Sequence, residues 1–149
     1  MQVPALLDGS VSLVGTSAIV SYVAPSTLRG SNALEEAQVL QYINLADQEL
    51  VPVVLSLLDG APSAKSGVAR ARQELQRYLQ ALNQVLLTRT YLVGETVTMA
   101  DVSLVCVLLP AVKSILDSST RSKSANVMRW FHTIVNQPHV KAIVGDLKL

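Results

Sequence analysis

The chain has 149 residues, half of them hydrophobic, 15% charged and 4% aromatic, with a formal net charge of +1. That composition excludes disorder, and the length suits one domain able to bury a core. The twelve Lys and Arg residues are scattered rather than clustered, so direct nucleic-acid binding is not expected, and no apolar run reaches the ~20 residues of a membrane span.

Val3 to Leu7 and Val11 to Val14 are β-prone runs separated by Asp8-Gly9-Ser10, a turn signal. Two strands do not stand alone in water, so this hairpin must lie on helices or on further strands. Thr16 or Ser17 is placed to cap a short helix carrying Ile19, Val20, Tyr22 and Val23 and ended by Pro25. Ala24 to Ser31 reads as a linker. Asn32 with Glu35 three residues on opens a long helix in the manner of a capping box, and apolar residues recur from Leu34 to Leu50 at helical spacing. Pro52 should kink this helix rather than end it, because Val53 to Leu58 stays apolar. The carboxylates Asp47 and Glu49 beside it read as an exposed helix face.

Asp59 to Ser66 reads as a loop. A second long helix follows with Val68, Ala71, Leu75, Leu79, Leu82 and Leu86 on one stripe. The third starts at Thr98 and shows no polar face, which predicts a helix buried all round at the centre of a bundle. Cys106 lies within it, and as the lone cysteine reads as a small core residue of a protein from a reducing compartment. A fourth helix spans about Asn126 to Asn136 with Val127, Trp130, Phe131, Ile134 and Val135 inward, and Pro138 opens a last short one.

Thr98-Met99-Ala100-Asp101 is the sharpest local signal. The Thr98 hydroxyl is placed to accept from the Asp101 amide, and the Asp101 carboxylate to reach back to the Thr98 amide. A buried helix start has no water to satisfy those donors, so Thr98 and Asp101 read as a structural cap rather than as catalytic groups. His132 and His139 lack companions at ligand spacing, so no metal is expected. No phosphate-cradling glycine loop or nucleophile elbow occurs, and no cofactor is expected.

Leu92-Val93-Gly94-Glu95 followed by Thr98-Met99-Ala100-Asp101 resembles the opening of the core helix in glutathione transferase C-terminal domains. Val3-Pro4-Ala5-Leu6 and Thr16-Ser17-Ala18-Ile19 resemble the proline-bearing strand and following helix start of their thioredoxin-like N-terminal domain. Arg89 to Glu95, Asn126 to Phe131 and Val135 to Pro138 further resemble the glutathione-transferase-like domains of elongation factor-1 gamma subunits. The domain appended to valyl-tRNA synthetase is similar at the same places.

The resemblance implies a mostly α fold, with a truncated β-β-α remnant over residues 1–25 and a glutathione transferase C-terminal-like helical bundle over 26–149. It implies Pro4 as the cis-proline and Ser17 as the carboxylate-facing residue of a glutathione site whose thiol-activating strand and helix are absent from this chain. It also implies a non-catalytic module of the cytoplasmic translation machinery. Such a module pairs, as homodimer or heterodimer, with similar domains of elongation factor-1 subunits or aminoacyl-tRNA synthetases. The pairing surface would be the Asn126–Asn136 helix, through Arg129, His132 and Thr133, which its apolar stripe turns away from the core. Two alternatives stay open: a transferase completed by preceding residues or a partner chain, and a degenerate glutathione binder.

Overall fold

The computed structural model describes residues 3–59 and 65–147. Strands β1 (Ala5–Asp8) and β2 (Val11–Val14) pair antiparallel with Leu6 opposite Leu13, the turn passing through Gly9 at φ +57°. Leu6 and Leu13 are the half-buried strand residues, whereas Leu7 and Val14 stand exposed. Helix α1 (Thr16–Val23) follows. Its N-cap is Gly15, with no side-chain bond, so Thr16 is the first helical residue and neither it nor Ser17 caps the helix as expected. The predicted linker contains a 3₁₀ turn, Ser26–Leu28, and its first residue, Ala24, is buried.

Asn32 caps α2 (Ala33–Asn44), its Oδ1 accepting from the Leu34 and Glu35 amides at 3.0 Å each. The Glu35 carboxylate reaches back one residue further than a capping box requires and accepts from Ser31 N–H at 2.7 Å. The rod then widens into a π-helical stretch, Leu45–Leu50, and continues as α3 (Val51–Asp59). Pro52 has no N–H for the i→i−4 ladder. The wider turn immediately ahead of it absorbs that mismatch, which is why the helix runs on.

Helix α4 (Lys65–Val85) contributes Ala71, Leu75, Leu79 and Leu82 to the core, joined just past its end by Leu86. Of the loop expected over 59–66, Asp59 still belongs to α3 and Lys65 already to α4, while residues 60–64 lie outside the described residues. The irregular segment 86–98 buries Leu92 and Val93, so it is packed connection rather than surface loop.

Helix α5 (Met99–Ser114) is central but not buried all round. Ala100, Asp101, Leu104, Val105, Leu108, Ala111 and Val112 face the core, whereas Cys106 is exposed and Val102, Ser103 and Leu109 are only half-buried. The core-residue reading of Cys106 is thereby corrected. A run of apolar residues gives no phase, and the neighbouring helices cover only one side of α5. Partial desolvation by its apolar neighbours pushes the Cys106 thiol above its ordinary pKa.

A short helix without an apolar stripe to announce it, α6 (Ser118–Lys123), precedes α7 (Ala125–Val135) and α8 (Pro138–Val144). Val127, Trp130, Phe131, Ile134 and Val135 of α7 are all buried, as the apolar spacing predicts. The core is one cluster drawn from the α2–α3 rod, α4, α5, α7 and the 92–93 segment. The architecture is mostly helical, a bundle preceded by a short β-β-α piece.

Candidate functional site

The residues of interest fall in three places. The first is the buried start of α5. The Asp101 carboxylate is fully buried, and four donors meet it. Oδ2 accepts from the Thr98 amide at 2.9 Å and the Thr98 hydroxyl at 3.2 Å. Oδ1 accepts from the Leu92 amide at 3.0 Å and from Trp130 Nε1 at 2.7 Å. The Asp101 amide itself donates to the Thr98 carbonyl at 3.1 Å. One carboxylate thus fixes the helix start, the 92–93 segment and α7 together. The spacing pointed to the bonds with Thr98; those from Leu92 and Trp130 had no local signal. The charge is felt nearby, since burial lifts the Tyr42 phenol above its usual pKa, Arg89 opposing the rise and Asp101 adding to it.

The second place is the outer side of α7. His132 is exposed, and Thr133 is half-buried with its hydroxyl donating to the Arg129 carbonyl at 2.9 Å. Arg129 is engaged within the fold. Its guanidinium donates at 2.7 Å to the Leu86 carbonyl, just past the end of α4, and at 3.0 Å to the Arg89 carbonyl in the segment that follows. A cation over the carbonyl end of α4 is favourable both as a hydrogen-bond donor and against the helix dipole.

The third place is one end of the β-β-α piece. The Val3–Pro4 peptide bond is cis, and the Pro4 carbonyl accepts from the Gly15 amide at 3.1 Å, which brings the proline beside the start of α1, where Ser17 lies half-buried. The neighbouring Thr16 hydroxyl donates to the Asp47 carboxylate at 3.0 Å. Asp47 and Glu49 therefore do not form one solvated face. The π-helical stretch turns Asp47 toward α1, while Glu49 accepts from the Tyr78 hydroxyl on α4. Among the described residues no group of three His, Cys, Asp or Glu side chains is placed to hold a metal ion. No described helix is long and apolar enough to cross a membrane.

Residues 45–138 match the model of the glutathione S-transferase C-terminal domain. The chain belongs to that family. It is 45% identical over 138 residues to elongation factor 1-gamma of Artemia salina, covering 90% of this chain and 32% of that protein. With elongation factor 1-gamma of Homo sapiens the identity is 39% over 146 residues, covering 95% of this chain and 33% of that protein. The chain therefore spans about a third of the length of these relatives. Among solved structures it is similar to a glutathione S-transferase from Xylella fastidiosa, with a TM-score of 0.76 and 27% identity over 94% of this chain and 72% of that one. It is also similar to glutathione transferase F2 from Populus trichocarpa, with a TM-score of 0.78 and 25% identity over 95% and 73%.

Proposed function

We propose that this member of the family is a non-catalytic protein–protein interaction module of the cytoplasmic translation apparatus, holding elongation-factor subunits or aminoacyl-tRNA synthetases in one complex. The observation that carries this reading is 39–45% identity, along nearly the whole chain, to proteins named elongation factor 1-gamma. In this reading residues 1–25 are a remnant of a thioredoxin-like domain and 26–149 the interaction domain. The partner surface is the outer side of α7, where His132 and Thr133 are presented by a helix whose opposite side is locked by Trp130 and Phe131. A rigid presenting element of that kind lowers the ordering cost of association.

Pro4 and Ser17 enter only as the vestige of a glutathione site. One feature counts against turnover there: the Thr16 hydroxyl is already engaged by an internal carboxylate, that of Asp47.

The test is affinity capture of the tagged chain from a eukaryotic lysate, beside a His132→Glu/Thr133→Arg variant. Arg129 is a poor probe, because removing it also takes the donor from the Leu86 and Arg89 carbonyls. Elongation-factor subunits or synthetases recovered by the parent and lost from the folded variant are the expected result. Recovery of no translation protein by a folded parent, together with heat of binding to glutathione in calorimetry, would replace this reading with a glutathione binder.

A further inference from the structure

Helix α1 starts without a cap of its own. Gly15 offers no side chain, and the first turn contains no acidic residue. Eight residues are too few for a helix to hold itself in water, and none of these eight is fully buried. What its first turn does meet is Asp47, 31 positions along the chain, whose Oδ1 accepts from the Thr16 hydroxyl at 3.0 Å. A carboxylate at that place complements both the open amides and the positive end of the helix dipole. α1 is therefore tied to the bundle through its first side chain, with no side chain bonded to its first amides.

The rest of the attachment is sparse. Val20 packs on the core, and Ala24 is buried, its carbonyl accepting from Arg29 Nε at 2.8 Å. Between these ties the surfaces do not close. A pocket of about 220 Å³, open to solvent, is lined by Val20, Ser21 and Ala24 on one side and by Val39, Leu40, Ile43 and Met99 on the other. Within the piece, Tyr22 donates to Asp8 at 2.9 Å, so strand and helix are joined to each other. Beyond it the chain is pinned at Gly30, whose φ of +108° and approach to Glu35 (2.9 Å from a would-be Cβ) bind it to the start of α2.

The geometry points to a latched unit: residues 3–23 undock from the bundle as one piece, hinged over 24–29 and held shut by the Thr16–Asp47 bond, while the bundle stays folded. Undocking removes the carboxylate from the start of α1, so α1 unwinds as the piece opens. Docking and helix formation are one event.

Amide hydrogen exchange on the full chain tests this. In the parent, the amides of Ile19–Ala24 exchange well before those of α4, α5 and α7. Thr16→Val and Asp47→Ala each speed that exchange roughly fivefold, the size expected from one lost hydrogen bond, and leave α5 and α7 unchanged. Thr16→Ser keeps the hydroxyl and exchanges like the parent. Protection of α1 equal to that of α5 would overturn the proposal. So would latch variants that exchange at the parent rate, or an equal acceleration in α4, α5 and α7, which would make the bond a support of the whole fold.

Discussion

Asp101 is a negative charge at zero exposure, and the groups bonded to it are two amides, a hydroxyl and an indole, not a cation. Its solvation has been replaced by four donors aimed from three parts of the chain. A carboxamide cannot play the same part, because whichever oxygen becomes NH₂ then points at an existing donor. Asp101→Asn is expected to destabilise the protein by on the order of 3 kcal/mol, since a buried group loses its partners and two donors are left facing each other. Trp130→Phe removes the indole donor and also leaves a cavity where the larger ring was fully buried, and should cost on the order of 2–3 kcal/mol. Urea unfolding followed by far-UV circular dichroism checks both, with a lowered midpoint and unchanged slope. Asp101→Asn matching the parent midpoint would show that the four bonds do not stabilise this site. The Thr98–Asp101 spacing was readable in the sequence; the bonds from Leu92 and Trp130 were not, because nothing local links positions 9 and 29 residues away.

At the scale of the helices, what the sequence concealed has one recurrent cause: the ends are finished by residues from elsewhere. The start of α7 has no cap of its own, and Asn83 of α4 supplies it, Oδ1 accepting from the Asn126 amide at 2.9 Å and the Val127 amide at 3.3 Å. The carbonyls ending α5 receive Arg121, which donates to Val112 at 2.6 Å and Leu116 at 3.1 Å. Arg129 does the same for α4 and Arg29 for α1. Three of the seven arginines, featureless in the sequence, are thus committed to helix ends. The start of α6 is finished locally, as are those of α2 and α5, and Asp117 followed three residues later by Thr120 was its overlooked signal. The Asp117 Oδ1 accepts from the Thr120 amide at 2.7 Å, and bonds from Thr120 are the main cause that holds its carboxyl below the ordinary value of 3.8. A lowered folded-state pKa means that the cap's contribution is present above the unfolded value and is lost as pH falls through the folded one. Carboxyl titration by NMR should therefore give Asp117 a midpoint below 3.8, with the Thr120 amide shift moving at the same midpoint. A Thr120 amide indifferent to that titration would show that the cap does not form.

For the molecule as a whole, periodicity was a sufficient guide where one face meets one core. The stripes on α4 and α7 predicted the buried residues there, with Val68 near the start of α4 staying half-buried, because polar positions marked the opposite side. On α5 every side is apolar, so the pattern could not show that Cys106 faces outward. The same ambiguity hangs over the β-β-α piece, whose residues are apolar out of proportion to what covers them. Of the twelve large hydrophobic side chains exposed among the described residues, six (Val3, Leu7, Val11, Val14, Tyr22 and Val23) lie within residues 3–23. They sit on a hairpin and the helix after it, and among the described residues no third strand pairs with the hairpin, the arrangement that invites association between chains. Leu7 and Val14 share its outward face at 75% and 51% exposure, so charges placed there meet no packed neighbour. In sedimentation equilibrium the weight-average mass of the parent should climb above 16.0 kDa as concentration rises. A Leu7→Lys/Val14→Lys variant with unchanged circular dichroism should hold that value over the same range. If the variant climbs with the parent, association runs through the exposed leucines of the bundle, Leu34 and Leu87 foremost. If neither climbs, the apolar face of the hairpin is tolerated in water, and its exposure imposes no cost that a partner needs to relieve.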